Sequence, residues 1–338
     1  MTEATEKILR TIKEVQQKGP DILIPKKNVI FDATVMSTLQ GCGRLVDLRF
    51  NHNLVSINGK SNSLEAGLVF HKYAEYYYGH IIKGFKKSDA HGYGMAAAET
   101  YARGCPFCTN FISTVDSPIP KCGHKINEFE GLRNTPAEPE KQYQIGWKWV
   151  LETCEQYYDF YKNDFWVPLE VEVVKSRVLY EDDEIRVLWK SKMDLVSDTN
   201  QGIYPVDHKT MKQRRDTISL NNQFIGQCIM QNTRSMFINK VGFQKTLKPE
   251  ERFNRGMVSY SAKRIIEWQG TILPYWAYKL IEYSENEFWA PNYDHCENKY
   301  GNCPFIEVCE ADPDDREREI KLNFMVGPDW NPRNALED

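Results

Sequence analysis

A short polar stretch in the middle of the chain carries the residues best suited to chemistry. Asp207-His208-Lys209 begins thirteen residues after Asp194, in the segment MDLVSDTNQGIYPVDHKT. If this segment forms two strands joined by a polar turn, Asp207 and Lys209 point to one face and His208 to the other. Two carboxylates can hold a hard divalent cation, and a neighbouring lysine can orient or activate water. The stretch therefore indicates metal-dependent hydrolysis of phosphodiesters, although the solvated face of a surface strand carries the same residue types.

The composition limits the class of protein. The chain has 338 residues, of which 41% are hydrophobic, so one large domain or two ordinary ones can bury a sizeable core. A net charge of −4 excludes a broadly basic coat for nucleic acid, so phosphate contacts must be local or made through bound metal. No apolar run approaches membrane-spanning length and no signal-peptide core is visible, which predicts an intracellular, cytoplasmic protein without a membrane partner.

Apolar periodicity and turn signals divide the chain into a helical part followed by a strand-rich part. Helices are predicted at 3–18, 34–50, 63–83, 88–103 and 138–163. Strands are predicted at 169–174, 176–180, 185–190, 193–197, 203–209, 235–244 and 256–260, with helices at 217–233 and 261–283, the last interrupted near Gly270 and Pro274. This order argues for a mixed α/β domain with a helical flank, ending in a loosely packed tail at 312–338.

Several short motifs follow one another in a fixed order. A G-x-x-x-H pattern runs from Gly67 to His71, and a strand glutamate and a strand aspartate come later, at Glu172 and Asp194. The (D/E)-x-K element 207–209 is followed by Thr210 and, fourteen residues after its lysine, by the start of a helical motif of the Q-x-x-x-Y type. From about residue 34 to 310 the chain therefore resembles the PD-(D/E)XK nuclease superfamily, specifically the RecB-like branch with AddB, the CRISPR-adaptation nucleases and many phage exonucleases.

The resemblance implies a fold and an activity. The fold would be a restriction-endonuclease-like core, a central mixed sheet flanked by helices, with an N-terminal helical region and a small metal-binding insertion. An N-terminal helix at 1–20, a nuclease domain at 21–311 and the tail at 312–338 would make up the chain. The activity would be that of a metal-dependent deoxyribonuclease. An exonuclease acting on DNA ends or single strands in recombination, repair or phage DNA metabolism is expected, inside a bacterial or phage-infected cell. A helicase or recombination protein is the expected protein partner.

The resemblance also implies metal ligands. Asp194 and Asp207 would coordinate Mg²⁺ or Mn²⁺, helped by the backbone carbonyl of His208. His71 would add a ligand, and a histidine favours Mn²⁺ more than Mg²⁺. Taken without the other motifs, His71 is better explained as a core histidine on an aromatic helix.

The remaining roles concern catalysis. Lys209 would position the attacking water or offset charge in the transition state, and Gln223 would orient the DNA backbone or the lysine. Glu172 is a further candidate ligand, with a solvated strand residue as the alternative. Gln227 stands where tyrosine is usual, and the glycine often found before Asp194 is missing. These departures keep open a catalytically inactive nuclease-fold subunit that binds DNA or assembles with partners; a metal-bearing scaffold with purely structural carboxylates is a third hypothesis.

Nine cysteines, most of them clustered, suggest metal before disulfides in a reducing compartment. RecB-like iron–sulfur nucleases have one cysteine before the histidine motif and three after the nuclease core, which here are Cys42, Cys296, Cys303 and Cys309. Four thiolates suit a 4Fe-4S cluster, which would join the two ends of the chain and stabilise the fold. Zinc at the same thiols and buried free cysteines are the alternatives.

A second cysteine group lies in a proline-bearing, irregular segment at 104–126. Its C-x2-C and C-x-H halves are separated by a gap acceptable for zinc, and this reading predicts a zinc-binding insertion against the alternative of a thiol-only loop. The ligands would be Cys105, Cys108, Cys122 and His124. Two further cysteines, Cys154 and Cys228, have no ligand pattern nearby and are predicted to be core residues.

A basic cluster follows the active-site strand. It consists of Lys209, Lys212, Arg214 and Arg215. Such a cluster could neutralise phosphates near a scissile bond, and it is equally well explained as a solvated loop.

Overall fold

The helices of the first half lie where apolar periodicity predicts them. A computed structural model of the protein describes residues 27–56, 62–103, 145–211, 220–298 and 301–326. In chain order, the first elements are β1 (Lys27–Phe31), α1 (Ala33–Gly41), α2 (Gly43–Val46) with a π-helical turn at Asp47–Asn51, β2 (Leu54–Ser56), α3 (Asn62–Ile82), α4 (Lys87–Arg103) and α5 (Trp147–Tyr161). The single helix expected at 34–50 is broken at Cys42, whose backbone is extended between two glycines.

The second half alternates strands and helices. Its elements are β3 (Val167–Glu181), β4 (Ile185–Asp198), β5 (Ile203–Met211), α6 (Asn222–Met230), β6 (Ser235–Gly242), α7 (Pro249–Arg252), β7 (Phe253–Ser259), α8 (Ala262–Glu267), α9 (Leu273–Glu285), β8 (Glu297–Asn298), β9 (Gly301–Asn302), α10 (Ile306–Glu310), α11 (Arg316–Asn323) and β10 (Phe324–Val326). Four of the predicted short strands are joined into two long ones, β3 and β4, because the polar positions between them do not interrupt the hydrogen-bonded ladder.

Six strands form a central mixed sheet flanked by helices, as the sequence predicts. β4 pairs along its whole length with the antiparallel strand β3. On its other edge, β4 pairs first with the parallel strand β1 and then with the antiparallel strand β5. The sheet continues through β6, parallel to β5, to the antiparallel strand β7. Parallel and antiparallel pairs therefore meet at β4 and β5, the two strands that carry the motif aspartates.

Two hydrophobic cores cover different parts of this sheet. One is packed between α1, α6, α9 and the first half of β4, with Trp189 and Trp268 at its centre. A Cβ at Gly226 would lie 2.4 Å from Nε1 of Trp189, so α6 packs directly on that ring. The other core contains α3, α4 and α5 with the second half of β4 and strands β5 to β7. Cys154 and Cys228 are fully buried, one in each core, which confirms that they are core residues.

Of two predictions for the C-terminal part, one is confirmed and one is wrong. The helical stretch 262–285 is interrupted by a π-helical turn that contains Gly270, and Pro274 lies in the first turn of α9, where its missing N–H is not needed. Residues 312–326 are not a loose tail, because α11 leads into β10, which pairs with β2. Phe324 of β10 is buried and stacks on Phe305.

Other predictions fall outside the described residues. These are the N-terminal helix at 3–18, the zinc-binding insertion with its four ligands, the start of the helix at 138–163, the basic residues 212–215 and the end of the chain after 326. Among the described helices, none has the length and apolar character needed to cross a membrane.

Candidate active site

A fork in the sheet separates the two motif aspartates. The pairing of β1 with β4 ends at Trp189, and the pairing of β5 with β4 begins at Leu195. Between these points, residues 191–194 of β4 have no register partner on that edge among the described strands. Asp194 lies at the end of this gap, and Asp207 lies where β5 leaves β4. The fork exposes unpaired backbone groups, which side chains must satisfy.

Asp207 lies at the centre of a closed ring of polar contacts. Its side chain is 1% exposed, and its Oδ2 is 2.7 Å from Nζ of Lys209. Gln223 donates through Nε2 to Oδ1 of Asp207 at 2.6 Å and accepts at Oε1 from Nζ of Lys209 at 2.9 Å. Because Asp207 and Lys209 meet on the α6 side of the sheet while the ring of His208 packs against α3, the alternation predicted for this strand is confirmed.

Two glutamines of α6 point toward the fork, Gln223 from the first turn of the helix and Gln227 from the next. The side chain of Asn221 accepts a hydrogen bond from the backbone N–H of Gln223, which caps the helix and fixes its start. Gln227, one turn later, donates through Nε2 to the carbonyl of Lys192 at 3.2 Å. Gln227 is fully buried and stands where the motif usually has tyrosine. Its amide satisfies a backbone carbonyl of the fork.

Asp194 brings the two strands together and faces α3. Its Oδ2 accepts a hydrogen bond of 2.7 Å from the backbone N–H of His208, in place of a strand–strand bond. Nδ1 of His71 lies 3.7 Å from the same oxygen. His71, Glu172 and Asp194 form the one group of three or more metal-ligand side chains, among the described residues, whose donor atoms all lie within 4.8 Å of one another. Asp207 stands outside this group, because its carboxylate is turned toward Lys209 and Gln223.

The backbone of Glu172 is strained to reach this position. Glu172 has φ +50°, a conformation that costs a non-glycine residue of the order of 1 kcal/mol. Its neighbours Val171 and Val173 pair with Leu195 and Met193, so Glu172 lies opposite Asp194. Strained residues of this kind cluster at functional sites, which supports Glu172 as a candidate ligand.

Burial and like charge raise the pKa of Asp194 to about 7. Desolvation is the largest cause, and the carboxylates of Asp207 and Glu172 add to it. His71 and Lys209 act in the opposite direction but do not compensate. Because the neighbouring positive groups do not compensate the negative charge of these buried acids, the site is chemically suited to binding a cation.

Two ion pairs lie beside the candidate metal-ligand triad, which consists of His71, Glu172 and Asp194. The ammonium of Lys192 pairs with the carboxylate of Glu172, and Lys72 pairs with Glu75 at 2.7 Å. Burial raises the pKa of Glu75, and the neighbouring Lys72 offsets this only in part. Burial alone would lower the pKa of Lys192, but the carboxylate of Glu172 outweighs it and the pKa is raised. Lys192 therefore stays charged at the edge of the site.

The imidazole of His208 is part of the scaffold. Its Nδ1 accepts a hydrogen bond of 2.8 Å from Nδ2 of Asn239, and the ring stacks on Tyr78. Burial lowers the pKa of His208 well below its usual value, so the ring is neutral. The side chain points away from Asp207, which leaves only the backbone of His208 near the two aspartates.

A close approach between α3 and β5 explains the glycine of the histidine motif. A Cβ at Gly67 would lie 2.7 Å from Oγ1 of Thr210, so a larger residue would push α3 away from the strand. Thr210 directly follows Lys209, and His71 lies one turn after Gly67 on α3. The spacing of this motif therefore sets the distance between His71 and the strand that carries Asp207.

The four separated cysteines meet at a second site. Cys42, Cys296, Cys303 and Cys309 line one pocket with Arg44 and Asn292. Burial raises the pKa of the thiols of Cys296 and Cys303, and the other cysteines of the group raise it further. Nη1 of Arg44 lies 3.9 Å from Sγ of Cys309, and the backbone N–H of Asn292 donates to Sγ of Cys42 at 3.4 Å.

The sulfur atoms are spaced more widely than a zinc site needs. Tetrahedral zinc, with Zn–S bonds of about 2.3 Å, would hold its sulfurs roughly 3.8 Å apart. Among the described residues, these cysteines do not provide three sulfurs within 4.8 Å of one another.

Sequence reasoning did not assign a role to three residues near the triad. Glu75 lies one helical turn after His71, Lys192 lies two residues before Asp194, and Asn239 lies on β6 beside His208. The i, i+4 spacing and the strand alternation are signals for the first two. Nothing local in the sequence identifies Asn239, because its contact depends on the pairing of β5 with β6.

Comparisons with known proteins give only distant likenesses. No protein family and no curated protein matches the chain. A structure of a candidate exonuclease from Eubacterium rectale is 12% identical with a TM-score of 0.39, over 79% of this chain and 85% of that one. The structure of SSO0001 is 13% identical with a TM-score of 0.29, over 48% of this chain and 69% of that one. Both scores are too low to support a conclusion on activity.

The raised pKa of Asp194 predicts a pH-dependent stability in the absence of divalent ions. The folded-state pKa of about 7 exceeds the ordinary value of 3.8, so the folded protein binds the extra proton between these values. Stability contributed by the protonated form is therefore lost as pH rises toward 7. We expect Asp194→Asn to gain about 2 kcal/mol relative to wild type between pH 5.5 and 8, measured by urea unfolding with a chelator. Parallel pH profiles for the two proteins would contradict this assignment.

Proposed function

We propose that the protein is a metal-dependent deoxyribonuclease of the PD-(D/E)XK type. The observation that carries the proposal is the fork, where His71, Glu172 and Asp194 gather on one side and Asp207 with Lys209 on the other. One imidazole and several carboxylates form a donor set suited to Mn²⁺ or Mg²⁺. The raised pKa of Asp194, caused first by burial and then by neighbouring acids, supports a cation as the missing compensation.

The residues divide the work of hydrolysis between them. Asp194, His71 and Glu172, whose donor atoms lie close together, would hold the metal, and Asp207, with the backbone carbonyl of His208, would join them by turning its carboxylate away from Lys209. The bound ion supplies Lewis-acid activation of the scissile phosphate and of water. Lys209 would orient the attacking water and offset charge that develops on the phosphate oxygens.

Gln223 acts on the lysine through its amide. It accepts from Nζ of Lys209 and donates to Asp207, so it fixes the ammonium while leaving its charge in place. Fixing a catalytic group before the substrate arrives reduces the entropy lost in the transition state. This role does not require the side chain of Gln223 to contact DNA.

We infer a 4Fe-4S cluster at Cys42, Cys296, Cys303 and Cys309. The shared pocket of the four cysteines supports a common metal group, and among the described residues no three of their sulfurs lie within 4.8 Å of one another, as a single zinc ion would require. These thiolates would hold the cluster, and it would join the segment after α1 to residues 296–309, which end within α10. Zinc at the insertion 104–126 stays a prediction from sequence.

A cleavage assay on purified protein tests the function. Labelled single strands, linear duplexes and closed circular DNA are incubated with Mn²⁺, with Mg²⁺ or with a chelator. We expect loss of the single strands and of the linear ends with either metal, no cleavage with the chelator, and intact closed circles if the enzyme needs an end. Binding of DNA without hydrolysis under any divalent ion would instead favour a DNA-binding subunit, and RNA as a parallel substrate checks the sugar preference.

A further inference from the structure

Lys192 is a charged residue of the site that the proposed hydrolysis does not use. Its side chain is 51% exposed, and its ammonium is paired with Glu172, which is 18% exposed. Glu172 belongs to the group of three close ligand atoms with His71 and Asp194. One carboxylate thus serves both the lysine and the candidate metal position.

Charge counting shows what a cation would change. The three ion pairs and the candidate ligands at the fork comprise four carboxylates, those of Glu75, Glu172, Asp194 and Asp207, and three ammonium groups, those of Lys72, Lys192 and Lys209. With all of these groups ionised, they carry an excess of one negative charge. A single divalent cation turns this into an excess of one positive charge.

The excess positive charge is expected to lie on Lys192, because each of the other two lysines keeps a partner. Lys209 keeps its hydrogen bond to Gln223 even when Asp207 engages the metal, and Lys72 stays paired with Glu75, which is outside the triad. Lys192 has one ion-pair partner among the described residues, Glu172, and this carboxylate belongs to the candidate metal position. A cation that binds the carboxylate of Glu172 weakens the attraction between this carboxylate and Lys192. Lys192 is also the most exposed of the three ammonium-bearing side chains.

We propose that Lys192 is a metal-gated phosphate-binding residue, which holds the DNA backbone once a divalent cation has engaged Glu172. This deepens the proposed function and rests on it. Lys192 lies two residues before Asp194 on β4, so both side chains leave the strand on one side, within about 7 Å along it.

Binding in the absence of cleavage tests the gate. The dissociation constant of a fluorescent single-stranded oligonucleotide is measured by anisotropy with Ca²⁺, which occupies oxygen ligands, and with a chelator. With Ca²⁺, we expect Lys192→Ala to bind about tenfold more weakly than wild type and to lower the salt slope by about one. With the chelator, the two proteins should bind alike. Lys192→Arg should recover most of the affinity.

A matched control and a reciprocal variant separate gating from damage to the fold. Lys175 on β3 also pairs with a glutamate, Glu170, and Lys175→Ala should leave binding unchanged in both conditions. Glu172→Gln removes the charge that restrains Lys192, so it should bind DNA more tightly than wild type with the chelator. This gain cannot result from a damaged fold.

The outcomes distinguish this inference from the proposed function. Equal affinities and salt slopes for wild type and Lys192→Ala with Ca²⁺ overturn the inference, even if wild type cleaves DNA. A similar loss with and without Ca²⁺ also overturns it, because the lysine would then be ungated. Ca²⁺-dependent binding that needs Lys192, in a protein that never cleaves, supports the inference while the hydrolytic function fails.

Discussion

Asp207→Asn is expected to lower the rate of DNA cleavage about a thousandfold while leaving the fold intact. Asparagine keeps the size of this buried side chain but removes the charge that pairs with the ammonium of Lys209 and that is proposed to bind the cation. A loss of about 4 kcal/mol in transition-state stabilisation corresponds to this factor. Single-turnover cleavage with Mn²⁺ measures the effect, and circular dichroism with thermal unfolding checks that the protein is folded.

Asp198→Asn provides the matched control. Asp198 lies at the far end of the same β4–β5 hairpin, where it accepts a hydrogen bond from the backbone N–H of Asn200. It has the same chemistry and no contact with the fork, so its loss should leave cleavage within a factor of about two. A folded Asp207→Asn variant with full activity would show that the assigned site is wrong.

Serine substitution at any of the four clustered cysteines is expected to remove iron and destabilise the protein. The four residues join chain segments more than 250 positions apart. A cross-link over such a distance contributes about 4 kcal/mol, so the midpoint of thermal unfolding should fall by about 6 °C in a chain of this length. Iron and sulfide analysis and the visible absorption of anaerobically purified protein measure the loss for Cys42→Ser and Cys309→Ser.

Cys154→Ser separates loss of the cluster from loss of packing. Cys154 is fully buried away from the pocket, so its substitution should lower stability but leave the iron content unchanged. A colourless wild-type protein that loses zinc in the same variants would identify a zinc site instead. Unchanged metal content in Cys42→Ser and Cys309→Ser would show that the thiols are free.

Local rules predicted the part of the site that lies within one hairpin. The alternation of strand side chains was enough to predict that Asp207 and Lys209 share a face and that His208 points away. Helical periodicity likewise predicted α3 and therefore the element that carries His71. These features depend on neighbours a few residues apart, which is why one sequence determines them.

Contacts between distant elements were decided by the packing of the sheet. The divergence of β1 and β5 along β4 opens the fork, and no local signal shows where one pairing ends and the next begins. The partnership of Glu172 with Lys192 requires the β3–β4 register and a residue at positive φ, which the side-chain pattern does not encode. The C-terminal strand β10 was missed because its partner β2 lies about 270 positions away.

The sequence by itself thus determined the chemical groups, the order of the motifs and the faces of the single strands and helices. Tertiary structure alone decided which carboxylates meet, which of them keeps a lysine partner, and how far apart the four sulfurs lie. The physical reason is the range of the interactions. Side-chain direction follows from backbone geometry within a few residues, whereas a shared site forms only when the hydrophobic cores fix α3, α6 and the strands against one another.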